Sequence, residues 1–235
     1  MSVIDDLIVR VKRGDSVATR ALRDIYKGML SFDLPETAAS RRVYAALYRA
    51  HHAYEAVREI AAGKILFEPM ARARFHSVGR NLQLSALPYV RGHARITIGD
   101  NCRLGYFSVD SGKYIDQPEL TIGNDCVISS NVAFVVNMRV TLGNHVGIAG
   151  RCRITDAPGH PSDPEKRKAG VDQTEEDFGP VTIEDYAWIG HSAHIQKGVT
   201  VGRGAVVAPG SVVVKDVPPN GLAMGIPARN VANAF

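Results

Sequence analysis

The chain is poor in the residues that would place it in several large protein classes. It has 3 cysteines and 1 tryptophan among 235 residues. No two cysteines form a Cys-x-x-Cys pair, which argues against a zinc ribbon or a thioredoxin-type redox site, and no metal is expected. No stretch is apolar for long enough to span a bilayer. An excess of one charge is also nearly missing: 28 Lys and Arg stand against 24 Asp and Glu, a formal net charge of +4. No Lys/Arg stripe interleaves with aromatics, so nucleic acid is not an expected partner. Residues 1–10 contain Asp5 and Asp6 and lack the basic start, apolar run and cleavage site of a signal peptide, so a cytoplasmic location is expected. A hydrophobic content of 45% and a charged content of 22% suit a globular chain able to bury a sizeable core.

What the sequence has instead is a period of six. Ile183, Ile189, Ile195, Val201, Val207 and Val213 are evenly spaced, and Ile98–Leu104, Ile122–Ile128–Phe134 and Leu142–Ile148–Ile154 keep the same interval. The next residue is usually small, as at Gly99, Gly123, Gly143, Gly190, Gly202 and Ala208. The fourth residue on is small or short, as at Cys102, Cys126, Cys152, Ala187, Ala193 and Ala205. A six-residue period is neither the alternation of a half-buried strand nor the 3.6 of a helix; it marks a parallel β-helix. Each hexad makes one short strand and a corner, and three make a coil. The aliphatic points inward and stacks on its counterpart in the next coil, while the small residue sits where a larger one would collide. The cysteines share the corner phase, which predicts reduced packing residues.

Residues 1–63 differ: they are rich in Ala, Arg, Leu and Tyr and read as helical. Residues 3–12 form one candidate helix. Ser16 caps a second to about Leu30, with Ala18, Leu22, Ile25 and Tyr26 on one side. A third starts near Pro35, after Asp33 or Leu34, and stops at Gly63. Its stripe of Val43, Leu47, Ala50 and Tyr54, like the one before it, predicts a packing surface against the β-helix. Residues 64–217 then hold the coil. Insertions interrupt it at about 109–119 and, at greater length, between Ile154 and Ile183. The second leaves a polar loop at about 157–180, and a long excursion from a regular solenoid commonly carries function. Residues 218–235, with Pro218, Pro219 and Pro227, read as an irregular tail.

Several segments resemble hexapeptide-repeat acyltransferases, in the branch of maltose, galactoside and polysaccharide O-acetyltransferases. They are Tyr-Ala-Trp-Ile-Gly (186–190), Gly-Val-Thr-Val-Gly (198–202), Pro-Gly-Ser-Val-Val-Val-Lys-Asp-Val-Pro-Pro-Asn (209–220), Gly-Ile-Pro-Ala-Arg (225–229) and Gly-His-Pro (159–161). The resemblance is specific over about 120–235. It implies a mainly β protein with a left-handed β-helix, a homotrimer, and acetyl-CoA held between subunits. It implies His160 as general base, which suits acyl transfer because imidazole titrates near neutrality; Asp156, Glu175 or Glu176 could orient the ring. By the same resemblance Lys215 and Arg229 contact the 3′-phosphate end of the coenzyme and Trp188 lies near it. Gly190, Ala208 and Ser211 let the pantetheine arm run close to the coil. Asn131 matches a sugar-binding asparagine, while Ser129 replaces another. The implied activity is transfer of acetyl from acetyl-CoA to a hydroxyl of a sugar or glycan precursor. The alternatives are N-acetylation of an amino sugar or nucleotide-linked sugar, and a non-catalytic β-helix used in assembly.

Overall fold

A computed structural model describes residues 9–34 and 36–233; the expected helical start at Pro35 and most of the candidate helix at 3–12 lie outside these. The chain divides into two compact units, residues 1–54 and 55–235.

In the first unit residues 9–13 are helical, and helix α1 spans Val17–Leu30. Ser16 is its N-cap: the Thr19 amide donates to Ser16 Oγ at 3.2 Å and the Ser16 amide to Thr19 Oγ1 at 2.8 Å. This reciprocal pair satisfies two donors that the first turn would otherwise leave open. Helix α2 (Ala38–Ala62) begins with a similar pair, Thr37 with Ser40, rather than at Asp33 or Leu34. No residue of α1 or α2 is buried. The stripes expected to pack, including Leu22, Ile25, Val43, Leu47 and Tyr54, are all more than half exposed. Amphipathicity here creates a face without covering it.

In the second unit α2 does not stop at Gly63. It continues through a π-helical turn, Gly63–Phe67, into α3 (Glu68–Arg74). The glycine is needed for approach, not termination: a Cβ on Gly63 would lie 2.5 Å from the Leu84 carbonyl oxygen.

From Ser77 the chain winds into a parallel β-solenoid with three faces. The first stacks Ser77–Val78, Arg95–Ile98, Glu119–Ile122, Arg139–Leu142, Val181–Ile183 and Thr200–Val201 in order. The second stacks Gln83–Leu84, Arg103–Leu104, Val127–Ile128, Gly147–Ile148, Trp188–Ile189 and Val206–Val207. The third stacks Tyr89–Arg91, Phe107–Asp110, Val132–Val135, Arg153–Thr155, His194–Ile195 and Val212–Val213. Pairing is parallel and in register, so inward residues form columns such as Val109, Phe134, Ile154, Ile195 and Val213. All five are at most 1% exposed. Each buried side chain of this size is worth about 1.5–3 kcal/mol against about 0.5–1.5 kcal/mol for a strand hydrogen bond, so these columns contribute more per residue to holding the coils together.

The corners are built as regularly. Asn101, Asp125, His145 and Tyr186 follow one another down a corner, each with φ between 56° and 62°. Asn and Asp tolerate this left-handed conformation better than most residues. Beside them an Asx ladder runs coil to coil: Asp100 donates its amide to Asn124 Oδ1 at 2.8 Å, Asn124 to Asn144 Oδ1 at 2.9 Å, and Asn144 to Asp185 Oδ1 at 2.7 Å. The cysteines are packing residues, as expected. Each is free and buried, and Cys102, Cys126 and Cys152 donate to the Gly123, Gly143 and Gly190 carbonyls at 3.1, 3.2 and 3.0 Å.

The last segment is not an irregular tail. Gly221–Gly225 adds a seventh tier to the second face, parallel to Val206–Val207. Ala228–Asn233 folds back antiparallel to it across Ile226 and Pro227, whose peptide bond is cis. This hairpin places Arg229 on an ordered strand.

Candidate active site

The functional candidates fall in three places, two of them where the period ends or breaks. The first is the loop between Arg153–Thr155 and Val181–Ile183. Its two ends are tied together, since the Gly179 amide donates to the Asp156 carbonyl at 2.9 Å and the Gly198 amide to the Gly179 carbonyl at 2.9 Å. Asp156 is fully buried, and its carboxylate accepts from the Asn137 and Met138 amides, both at 2.8 Å. Burial pushes this carboxyl above its ordinary range, with the amides opposing. Asp156 is thus spent on the backbone at the loop's base and does not orient His160. Glu175 and Glu176 lie on an exposed 3-10 turn, Glu175–Asp177.

Within the loop Gly159 takes φ 88°, a conformation that favours glycine, and Pro161 is buried while His160 is exposed. Arg167, on the short helix α4 (Pro164–Lys168), folds the segment back by donating to the Pro161 and Ser162 carbonyls at 2.8 and 2.6 Å. The imidazole makes no hydrogen bond among the described residues. The other insertion supports the loop. Lys113 pairs with Asp172 at 2.7 Å, and the rings of Tyr114 and Phe178 lie 5.6 Å apart. Sequence reasoning missed this link because neither insertion has a period.

The second place is the C-terminal end of the solenoid. Lys215 and Arg229 line one depression of about 470 Å³, with Val213, Asp216, Pro227 and Asn230. Both cations are exposed. Residues 14 apart in sequence meet here only because the hairpin turns back; reading 218–235 as irregular hid Asn230, whose Nδ2 donates to the Asp216 carbonyl at 3.4 Å.

The third is the outer surface of the second face. Trp188 is 53% exposed and rests on Gly147, where a Cβ would come within 2.5 Å of the indole. Gly190 is buried, and a Cβ there would meet the Pro209 nitrogen at 2.6 Å, so the fold itself requires this glycine. Ala208 donates its amide to Ala223 at 2.9 Å. Ser211 is only 1% exposed, and its hydroxyl accepts from the Gly225 amide at 3.2 Å. Its side chain therefore fastens the hairpin to the coil. Toward the first coils, Ser129 lines a cavity of about 560 Å³ with Ile60, Gly63, Leu84, Arg103 and Ser130. Asn131 does not line it; it occupies a corner at φ 64°, which gives this asparagine a structural reason. Among the described residues no group of three His, Cys, Asp or Glu gathers as metal ligands would.

A parallel β-solenoid of hexads with a histidine-bearing excursion and a cationic terminal depression defines a protein of the hexapeptide-repeat class. Comparison with known proteins agrees. Residues 180–215 match the bacterial transferase hexapeptide (six repeats) family. The chain is 37% identical over 147 residues to nodulation protein L of Rhizobium meliloti, covering 57% of this chain and 78% of that protein. It is 36% identical over 136 residues to galactoside O-acetyltransferase of Escherichia coli, covering 57% of this chain and 61% of that one. The chain belongs to the hexapeptide-repeat transferase family. It spans 46–61% of the length of several other curated relatives that it matches. Among solved structures, AntD, an N-acyltransferase from Bacillus cereus in complex with an amino-sugar nucleotide and coenzyme A, shares the fold. The TM-score is 0.57 at 21% identity, over 71% of this chain and 88% of that one.

Proposed function

We propose that the protein moves an acetyl group from acetyl-CoA to a hydroxyl of a sugar or glycan precursor, and that it works as a homotrimer supplied from the cytoplasmic pool of acetyl-CoA. The observation that carries this reading is the meeting of Lys215 and Arg229 in one depression. Asp216 also lines the depression, but its carboxylate accepts the Thr200 amide at 2.7 Å, and the two cations suit a phosphate, which arginine can grip with two parallel hydrogen bonds and lysine as a point charge. The 3′-phosphate of coenzyme A would sit there. The pantetheine arm would run along the second face past Ala208 and Trp188 toward the histidine-bearing loop of a neighbouring subunit.

His160 supplies the base. Its exposed imidazole is unengaged, so the substrates and a neighbouring subunit complete its surroundings. The neutral ring takes the proton of the acceptor hydroxyl as the oxygen attacks the thioester carbonyl. The resulting imidazolium then returns a proton to the departing coenzyme sulfur, so no net proton is left on the enzyme. The acceptor would occupy the cavity near the first coils that Ser129 lines. The acyltransferase reading is favoured over an assembly role because a solenoid used only for assembly needs neither the excursion at 157–180 nor the paired cations.

The test follows free-thiol release from acetyl-CoA across a panel of glycosides and amino sugars. Replacing His160 with Ala should leave the fold intact and lower turnover by about 10²- to 10⁴-fold. Near-normal turnover would remove His160 from the chemistry, and thiol release only with amines would move the activity to nitrogen.

A further inference from the structure

The net positive charge of this protein traces to one segment. Residues 10–27 carry Arg10, Lys12, Arg13, Arg20, Arg23 and Lys27 against Asp15 and Asp24; the rest of the chain, Asp5 and Asp6 included, holds 22 cations and 22 acids. The whole net charge of +4 therefore resides on a segment of which α1 is the longest element. At about 100° per residue, Ala18, Leu22, Ile25 and Met29 fall in one narrow arc of α1, and Arg20, Arg23 and Lys27 fall opposite it. Tyr26 stands at the border between the two. The apolar arc is open: Leu22 is 51%, Ile25 59% and Met29 66% exposed. Phe32 and Leu34, just beyond the helix, are 68% and 59% exposed.

We infer that α1 is a membrane-surface anchor that lies in the headgroup layer of an anionic bilayer. Both faces of the helix find their complement there. The apolar arc meets the acyl boundary, the cations meet lipid phosphates, and a border tyrosine suits the depth between them. A second copy of the chain fits less well, because it brings the same excess of positive charge to the contact. An anionic surface holds each nearby Lys or Arg at a strength that salt screens.

The full-length protein is mixed with vesicles and centrifuged. Wild type should sediment with phosphatidylcholine vesicles containing about one-third phosphatidylglycerol, should not sediment with pure phosphatidylcholine, and should be released at about 1 M salt. The pair Arg20→Gln and Lys27→Gln should weaken partitioning about thirtyfold. Ile25→Asp should abolish sedimentation while the thermal unfolding of the solenoid stays unchanged. Wild type remaining in the supernatant with anionic vesicles, or Ile25→Asp sedimenting like wild type, would overturn the inference. So would wild type ignoring vesicles while Ile25→Asp lowers the mass seen by light scattering, which would give the apolar arc to a second copy.

Discussion

Replacing Gly147 with Ala puts a methyl group against the only tryptophan in the chain. The new Cβ would lie 2.5 Å from Trp188 Cε3 and 2.8 Å from Cζ3, where ordinary contact begins at 3.4 Å. The indole must retreat by about 1 Å, since Gly147 is fixed by its strand partners Val127 and Trp188 and cannot yield. Two energies then oppose each other. Lifting the ring forfeits several dispersion contacts at about 0.1–0.2 kcal/mol each, roughly 1 kcal/mol in all. Removing a strand glycine returns about 0.5–1 kcal/mol by restricting the unfolded chain. The sum is near zero, so a melting curve will barely move and is the wrong assay. Fluorescence is the right one, because a single half-exposed indole reports one site. Gly147→Ala should shift emission to longer wavelength and raise quenching by iodide, and the response to added coenzyme A should change with it. Unchanged emission and quenching would show that the ring does not rest on Gly147, and the packing argument for this surface would fail.

Gly63→Ala should destabilise by about 1–3 kcal/mol despite alanine's better helix propensity, because its Cβ would meet a backbone oxygen that cannot swing away; a higher melting temperature would refute this. Asp156 gives a pH test: its folded pKa lies above the unfolded one, so the ionised carboxylate costs stability above the unfolded value of about 3.9, and that cost is relieved as pH falls through the folded value. The stability of wild type relative to Asp156→Asn should therefore decline as pH rises from about 4 through the raised value, and a flat difference in chemical denaturation would contradict the burial argument. Arg229→Ala should raise KM for acetyl-CoA about tenfold or more while leaving KM for the 3′-dephospho form little changed; equal effects on the two donors would refute the phosphate assignment.

The solenoid was legible in the sequence because two independent restrictions recur in one phase. An inward aliphatic and a small corner residue are both demanded by the same coil, and Ile189 with Gly190 shows the pair at one step. The cysteines were legible for the same reason: they share the corner phase, and all three are free and buried. Elsewhere local rules gave the wrong answer because a distant contact decides. Gly63 ends a helical pattern, yet its missing Cβ serves the Leu84 carbonyl across the unit. Three prolines suggested an irregular end, yet Gly221–Gly225 finds the open edge of the second face and pairs there. His160 was identifiable only from its neighbours in a motif. Its surroundings were not, since Lys113 and Asp172 are joined by folding and by no spacing rule.

A stack of nearly identical coils offers no tier better suited to chemistry than another. The proposed base and phosphate site therefore stand where the repeat is broken, and each break is secured by residues of the repeat next to it. The excursion at 157–180 is closed at its base by Asp156 and Gly179, and Lys197 from the next coil donates to the Asp177 carbonyl at 2.5 Å. The terminal hairpin is secured by Ser211, a corner residue whose hydroxyl accepts the Gly225 amide. Because these ties are to backbone groups, the exposed side chains beyond them, His160 on the loop and Arg229 on the hairpin, are free of structural duty. Substituting either should therefore change chemistry or affinity with little effect on folding, whereas substituting Asp156 or Ser211 should change folding first.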